Sequence, residues 1–575
     1  MKDVLVDRIR EVLLGLLGDV GEGDSLPEIK LDVPRQPEHG DFACNVAMGL
    51  AKRLGRSPRA IAEDLVERLG DAGGLVETAE VAGPGFINLQ LKNLAWQGLV
   101  TQILASGPEY GSAERGRGQR LQVEFVSANP TGPLSTGHGR QGVLGDCLAN
   151  LFEKVGFEVT REYYFNDGGR QMRVLGESVK ARYLELLGRA APPPADADSE
   201  GDWPTEVGGL PVVFPPDGYR GDYIVDIAAS LVKSHDRGLE EESGEGIFRD
   251  YAQKEIFGDI DSTLESIGIH FDVHFNEKSL YEDGQLEEVL AELREKGLIY
   301  ESEGAVWLAA GKLGQDRDRV VIKSSGEPTY LLPDIAYHRE KFRRKFDWVI
   351  DVQGADHIEQ FPFVRKAVGA LGYDENRIEL VMHQFVTITS GGEKIKQSTR
   401  RATFVTVDEL VEQVGADVFR FFMIERKPEG HLDFDLDLAR DQNWRKNPAY
   451  YVQYAHARTY GIERRAEEEA VAIPGKGEFD PERLILPEEL ELIRKLGEFP
   501  ELILQAAEAR EPHRIAYYLR ELAGLWNPYL QDGTHHRVIS EDLELTAARL
   551  ALVLAVRHVL KAGLELLGVS APERM

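Results

Sequence analysis

With 575 residues, 42% of them hydrophobic and 29% charged, the chain has material for three or four domains and a substantial core. Its 67 basic residues against 98 acidic ones, a net charge of −31, exclude a surface that is basic throughout and leave nucleic acid only a local basic groove. Two cysteines, Cys44 and Cys147, with no Cys-x-x-Cys pair, exclude a structural zinc ribbon and a disulfide scaffold, and fit a reducing cytoplasm.

Residues 1–20 carry Asp3, Asp7, Arg8, Arg10 and Glu11 at helical spacing, where a secretory signal needs an uncharged apolar run. A helix over 4–17 is expected, then a strand over 29–33, a turn at 38–41 and a helix over 42–54. Ser57-Pro58-Arg59 opens another helix, with Pro in its first turn. Residues 86–91 alternate like a strand, and a polar linker over 107–120 closes this first unit, drawn at 1–106.

The second unit, 118–440, opens with a β-run at 121–126, a Pro/Gly loop, a helix from about 137 to 155 and a second strand at 157–163. This strand–helix–strand order predicts a parallel α/β sheet, with further strands at 348–352 and 378–382. An otherwise helical insertion, about 180–290, contains loop-like low-complexity sequence at 191–209. From about Asn447 onward the strands stop, and Ala/Leu-faced helices predict a bundle over 445–575. Its most apolar stretch, 550–569, is broken by Arg557, His558, Lys561 and Glu565, and reads as a buried helix rather than a membrane span.

Two segments carry phosphate chemistry. Residues 127–140 end in Ser135-Thr136-Gly137-His138-Gly139-Arg140, where the first strand hands over to a helix. The helix N-terminus offers free N–H groups and a partial positive charge, Gly137 admits close backbone approach, and His138 can donate to a phosphate. Taken alone, a βα loop with an incidental histidine accounts for it equally. Residues 390–401 set a Gly391-Gly392 turn before Lys394, Lys396, Arg400 and Arg401, a pattern suited to closing cations over a triphosphate. Alone, this is also a solvated basic loop.

In this order, and about 260 residues apart, the two segments resemble the paired His-x-Gly-His and Lys-Met-Ser-Lys signatures of class I aminoacyl-tRNA synthetases. The context is similar to the arginyl-tRNA synthetases. It comprises Arg-Glu-Tyr-Tyr-Phe-Asn-Asp-Gly-Gly-Arg-Gln at 161–171, Gly-Ala-Asp-His at 354–357 and Gly-Ala-Asp-Val-Phe-Arg-Phe at 415–421. Tyr-Tyr-Val-Gln-Tyr-Ala-His-Ala-Arg at 450–458 and the terminal Ala-Pro-Glu-Arg-Met complete it, so the resemblance covers nearly the whole chain.

The resemblance implies an α/β Rossmann-type parallel-sheet catalytic domain, an N-terminal α+β tRNA-binding domain and a C-terminal all-α anticodon-binding bundle. It implies ligation of L-arginine to tRNA(Arg) through arginyl-adenylate, with ATP converted to AMP and pyrophosphate. ATP would bring Mg²⁺ as a substrate complex, with no zinc or resident metal, no DNA and no membrane, in a cytoplasmic monomer.

A guanidinium calls for carboxylates in a fixed fork with an aromatic face or hydroxyl nearby. Glu124 and Asn129 lie at the end of the first strand, and Tyr330 and Asp334 sit four apart. By resemblance Glu124, Tyr330 and Asp334 hold the guanidinium, and Asn129 and Gln353 the α-amino group. Ser135, Gly137, His138, Lys396, Ser398, Arg400 and Arg401 are assigned to the phosphates, and Gly354, Asp356 and His357 to the nucleoside.

Tyr451, Tyr454 and Arg458, at i, i+3 and i+7, put aromatics and a cation on one helix face, a combination that stacks and pairs with unpaired bases. The resemblance sets Tyr454, Arg458 and Met575 around the anticodon, and Phe86 and Asn88 against the D-loop. Core roles for the tyrosines and for Phe86 are the alternative.

Three places depart from the family pattern. Ser135 replaces the first histidine, Lys396-Gln397-Ser398-Thr399 keeps two of four positions, and Gly132 stands where some members carry a lysine. Three readings stay open: Arg400 or Arg401 reaches the pyrophosphate, adenylate formation is slow, or the chain is a tRNA-binding relative with little ligase activity.

Overall fold

A computed structural model describes residues 2–17, 26–34, 36–194, 203–355, 358–395, 405–475, 477–533 and 535–575. At the N-terminus, Leu5, Ile9 and Leu13 recur every four residues and bury one face of the helix Lys2–Leu17 against the helix Pro58–Leu69. A four-stranded antiparallel sheet lies beside them, ordered Leu31–Asp32, Phe42–Cys44, Phe86–Leu91, Val76–Ala82.

The expected helix over 42–54 begins only at Val46. Its first three residues pair with the Phe86–Leu91 strand, because the Asp41 carboxylate accepts the Leu91 N–H at 2.7 Å and the Gln90 amide at 2.9 Å. The strand expected at 29–33 contracts to Leu31–Asp32. The strand Val76–Ala82 went unrecognised because it is a largely exposed edge without apolar alternation. In Phe86–Leu91, Ile87, Leu89 and Leu91 point inward, so Phe86 is 40% exposed and its core alternative is removed.

The central sheet has five parallel strands, ordered Ile378–His383, Trp348–Gly354, Arg120–Glu124, Glu158–Phe165, Val273–Asn276. In chain order this is 5-4-1-2-3, a doubly wound sheet whose direction of winding reverses between the first and fourth strands. The helix Thr136–Lys154 makes the first crossover and Phe361–Ala370 a later one. The first strand ends at Glu124 rather than running on to 126, and the second runs from Glu158 to Phe165. The edge strand Val273–Asn276 falls within the span expected to be helical insertion, while 206–207 and 210–211 form a small hairpin across the end of the span expected to be loop.

Beyond Asn447 the described residues form long helices and no strand, led by Pro448–Glu468, Pro487–Ala509, His513–Tyr529 and Leu543–Leu566. Arg420, 1% exposed, ties this bundle to the helices that cover the parallel sheet. Its guanidinium donates to the Asp146 carboxylate, to the Leu567 carbonyl at 2.9 Å and to the Ile267 carbonyl at 2.8 Å. Gly568 leaves it room: φ is +62°, and a Cβ there would lie 2.0 Å from the guanidinium. Among the described residues, no helix is long and apolar enough to cross a membrane.

Candidate active site

The winding reversal opens a crevice at the carboxyl ends of the first and fourth strands, where open α/β sheets bind ligands. Glu124 ends the first, paired in register with Asp351, and Gln353 and Gly354 end the fourth. Glu124 is 4% exposed, so it is no surface acid. Just after it, Val126 (φ +67°) and Ser127 (φ +45°) adopt left-handed backbone, a strained pair costing about 1–3 kcal/mol each. The turn aims the Ser127 hydroxyl back at Glu124 Oε1 at 3.0 Å. Asn129, half-buried, accepts the Asn166 N–H at 3.2 Å and donates to Gln171 at 2.8 Å.

The helix Leu331–Arg343 faces this strand end. Tyr330, its N-terminal neighbour, is 75% exposed at the mouth and is not a core aromatic. Asp334 lies one turn inside, half-buried, and accepts a hydrogen bond from the Gln360 amide. Burial pushes its carboxyl up to about 7, with His338 and Gln360 opposing and Glu124 and Glu277 reinforcing. From the same helix, His338 Nδ1 lies 2.7 Å from the Asp334 carbonyl and Nε2 lies 2.6 Å from Asp351. Lys341 Nζ lies 2.7 Å from Asp351 and 2.6 Å from Glu124. Glu277 takes the Tyr164 hydroxyl at 2.6 Å and the Asn166 amide at 2.9 Å, and burial raises its carboxyl.

The phosphate turn is built on Ser135. Its hydroxyl accepts the His138 N–H at 3.4 Å, and its own N–H donates to His138 Nδ1 at 3.3 Å, a capping box on the helix Thr136–Lys154. With Nδ1 accepting, the neutral ring carries its proton on Nε2, and burial favours that neutral form by lowering its basicity. Gly139 is needed for packing, since a Cβ would lie 2.7 Å from Phe419 and 2.8 Å from Val407. At Gly137 a Cβ would meet only Ser135 Oγ, at 3.6 Å, so that face is open. At Gly132 it would lie 2.9 Å from the Tyr223 hydroxyl, which leaves a lysine no room without moving Tyr223.

Lys396, Ser398, Arg400 and Arg401, with Asp356 and His357, lie outside the described residues. The residues flanking the first four are placed: Ile395 N–H bonds the Ile388 carbonyl at 2.9 Å, and Val407 N–H bonds the Leu134 carbonyl at 3.0 Å. Thr406 bridges Ser135, so the chain returns beside the first signature.

Three family models match the chain: "Arginyl tRNA synthetase N terminal domain" over 3–91, "tRNA synthetases class I (R), catalytic domain" over 99–191 and 224–427, and "DALR anticodon binding domain" over 452–575. The arginine–tRNA ligase of Desulfotalea psychrophila is 48% identical over 545 residues, covering 95% of this chain and 94% of that one. The chain belongs to the arginyl-tRNA synthetase family. The arginine–tRNA ligase of Salinibacter ruber is 46% identical with 100% of both chains covered. The fold is similar to that of the Thermus thermophilus arginyl-tRNA synthetase, at TM-score 0.74 and 23% identity over 100% of each chain.

In this member of the arginyl-tRNA synthetase family, the helix Pro448–Glu468 does not present a bare stacking face. Trp444 stacks on Tyr454, with centroids 4.0 Å apart and planes at 19°, and on Tyr451 at 6.0 Å. Arg458, half-buried, sits 5.7 Å from the Tyr454 ring and donates to the Asn527 carbonyl at 2.9 Å. Beside this stack a surface pocket of about 410 Å³ is lined by Arg445, Lys446, Tyr451, Tyr517, Arg520 and Glu521 among others, three cations against one acid. The C-terminal tail runs back along the helix, with Gln453 Nε2 on the Ser570 carbonyl and His456 Nδ1 2.9 Å from the Pro572 carbonyl, and Met575 is 59% exposed. On the N-terminal sheet, the exposed Phe86 shares its strand face with the half-buried Asn88.

Sequence reasoning passed over three residues. Lys341 was visible in principle, because Asp334, His338 and Lys341 are spaced i, i+4, i+7 on one helix face. Glu277 and Trp444 lie outside the motifs, and only the fold brings them to the site.

Proposed function

We propose that the chain ligates L-arginine to an arginine tRNA in two steps. The arginine carboxylate attacks the α-phosphorus of ATP, forming arginyl-adenylate as the bond to pyrophosphate breaks. The terminal 2′-hydroxyl of the tRNA then attacks the acyl carbon and AMP leaves. The observation that carries this reading is the meeting of two acids, Glu124 and Asp334, at the winding reversal of the sheet, beside a helix N-terminus bearing His138.

Glu124 and Asp334 pair the guanidinium, with Tyr330 at the mouth; Asn129 and Gln353 take the α-amino group. Gly354, Asp356 and His357 hold the nucleoside. His138 donates from Nε2 to a phosphate oxygen, and the first-turn N–H groups of its helix face the same charge. Lys396, Ser398 and either Arg400 or Arg401 attend the leaving pyrophosphate, and Mg²⁺ arrives with ATP. Catalysis is positioning and charge stabilisation, with no covalent enzyme intermediate. The tRNA extends from the D-loop at Phe86 and Asn88 to the anticodon at Tyr454, Arg458 and Met575. The domain limits 1–106, 118–440 and 445–575, a monomeric state and a cytoplasmic setting complete the reading.

The test is charging of an arginine tRNA transcript by purified protein with ATP and labelled arginine. Accumulation of arginyl-tRNA is expected. A folded protein that binds the transcript yet gives neither charging nor arginine-dependent pyrophosphate exchange is the binding-only relative.

A further inference from the structure

We propose that Lys341 is a positioning residue for amino-acid recognition: it holds the Glu124 carboxylate in the orientation and charge state that a guanidinium requires, without touching the substrate. The inference rests on the reading of Glu124 as an arginine-binding acid.

Lys341 and Asp351 are both fully buried. The ammonium lies 2.6 Å from Glu124 Oε2, 2.7 Å from Asp351 Oδ1 and 4.2 Å from the centroid of the Tyr337 ring. Glu124 Oε1 receives the Ser127 hydroxyl. Each Glu124 oxygen therefore has one internal donor, and a carboxylate has about four acceptor sites. One site per oxygen remains, which is what a guanidinium fork uses.

A carboxyl buried this deeply is driven towards its protonated form, in which one oxygen becomes a donor and the fork loses an acceptor. Burial does raise the Glu124 carboxyl, and Lys341 is the strongest influence opposing it. The ammonium is itself fixed by Asp351, which is fixed by His338, which reaches the Asp334 carbonyl. The chain from Glu124 through Lys341 and Asp351 to His338, and on to the main-chain carbonyl of Asp334, thus ties Glu124 to the helix that carries the second proposed guanidinium acid. It sets their separation from the sheet rather than from a loop.

The experiment compares charging by the wild type, Lys341→Met, Lys341→Gln and Glu124→Gln, with separate KM values for arginine and ATP at several pH values. The groups facing Glu124 are Lys341, His338, Tyr337 and Asp334 from the helix, Asp351 and Tyr164 from the neighbouring strands and Ser127 from its own turn. Because Asp334 titrates in wild type as well, the pH response is read as the ratio of variant to wild-type KM. Both Lys341 variants are expected to raise the arginine KM about tenfold or more, close to 1.4 kcal/mol per decade, with the ATP KM changed less than about twofold. The defect should shrink as pH rises and Glu124 gives up its proton again, a response that a packing defect lacks.

A folded Lys341 variant with an unchanged arginine KM, or with both KM values raised together and no pH response, overturns the proposal. So does loss of folding in both variants, which assigns Lys341 to stability alone. If Glu124→Gln also leaves the arginine KM unchanged, the underlying reading of Glu124 fails. If Glu124→Gln raises it and the Lys341 variants do not, only the role of Lys341 fails.

Discussion

Ser135 and His138 fix one another across the first turn of the helix Thr136–Lys154: the serine hydroxyl accepts the histidine N–H, and the serine N–H donates to the imidazole Nδ1. The serine that replaces the family's first histidine thus caps the helix with its hydroxyl, while its backbone N–H sets the tautomer of the second. Replacing it with alanine removes one helix cap, about 1 kcal/mol of stability. It also removes the 3.3 Å contact of the serine hydroxyl with Nδ1 but keeps the backbone N–H on that nitrogen, so arginine-dependent pyrophosphate exchange should fall no more than about threefold in kcat, with the arginine KM unchanged. A loss of about tenfold or more by Ser135→Ala would show that the hydroxyl, and not the backbone N–H, holds the ring.

Asp334 gives the site a pH dependence of definite sign. Its carboxyl is raised to about 7, so it is largely protonated at pH 6 and charged at pH 8. Only the charged form pairs a guanidinium, and the arginine KM should fall as pH rises through 7. The groups facing it are His338, Gln360, Glu124 and Glu277. Free protein behaves oppositely: a carboxyl whose folded pKa lies above its unfolded value loses stability as pH rises between them. Asp334→Asn should flatten this part of the KM profile; a profile identical to wild type would locate the titration elsewhere.

Arg420 bonds Asp146, Ile267 and Leu567 at the joint between sheet and bundle. Arg420→Met leaves the buried Asp146 with only Arg161, 3.4 Å away, and strips the Ile267 and Leu567 carbonyls of their donor, and should cost about 3 kcal/mol in denaturant unfolding. The arginine KM of the folded fraction should stay at the wild-type value. A loss below about 1 kcal/mol would mean that the joint relaxes and Asp146 reaches water.

Phe86 and Trp444 separate tRNA contact from folding. Phe86 is 40% exposed, so Phe86→Ala should change stability by no more than about 0.5 kcal/mol while raising the tRNA KM several-fold. Trp444→Ala removes the ring stacked on Tyr454 and should raise the tRNA KM about fivefold or more, as expected for aromatic stacking worth about 1–3 kcal/mol per base. Unchanged tRNA KM values in both would remove these surfaces from the tRNA path.

Much of the fold is legible in the sequence because its periodicities are strong. Strand 120–124 and helix 136–154 announce a parallel crossover, and Ala/Leu faces announce the terminal bundle. The misread segments are those where burial differs from local pattern: residues 42–44 carry apolar side chains that also suit a helix, and the edge strand 76–82 has little to bury. At the site, Glu124, Asp334 and His138 could be read from motif context. Their wiring could not, since Lys341 meets Glu124 across 217 residues and Tyr164 meets Glu277 across 113. Ser135 is instructive: in the motif it is a lost phosphate contact, and in three dimensions it is a cap.

The account turns on a site selective for a guanidinium, and the direct measurement is ATP–pyrophosphate exchange with arginine tRNA present, run across an amino-acid panel including lysine, citrulline, cysteine and glutamate. Arginine alone should support rapid exchange. Citrulline, which replaces the guanidinium with a neutral urea, should be slower by several orders of magnitude in kcat/KM, because the remaining acceptor sites of Glu124 and Asp334 lose their cationic partner. Exchange with cysteine, glutamate or citrulline that matches or exceeds exchange with arginine would contradict the account.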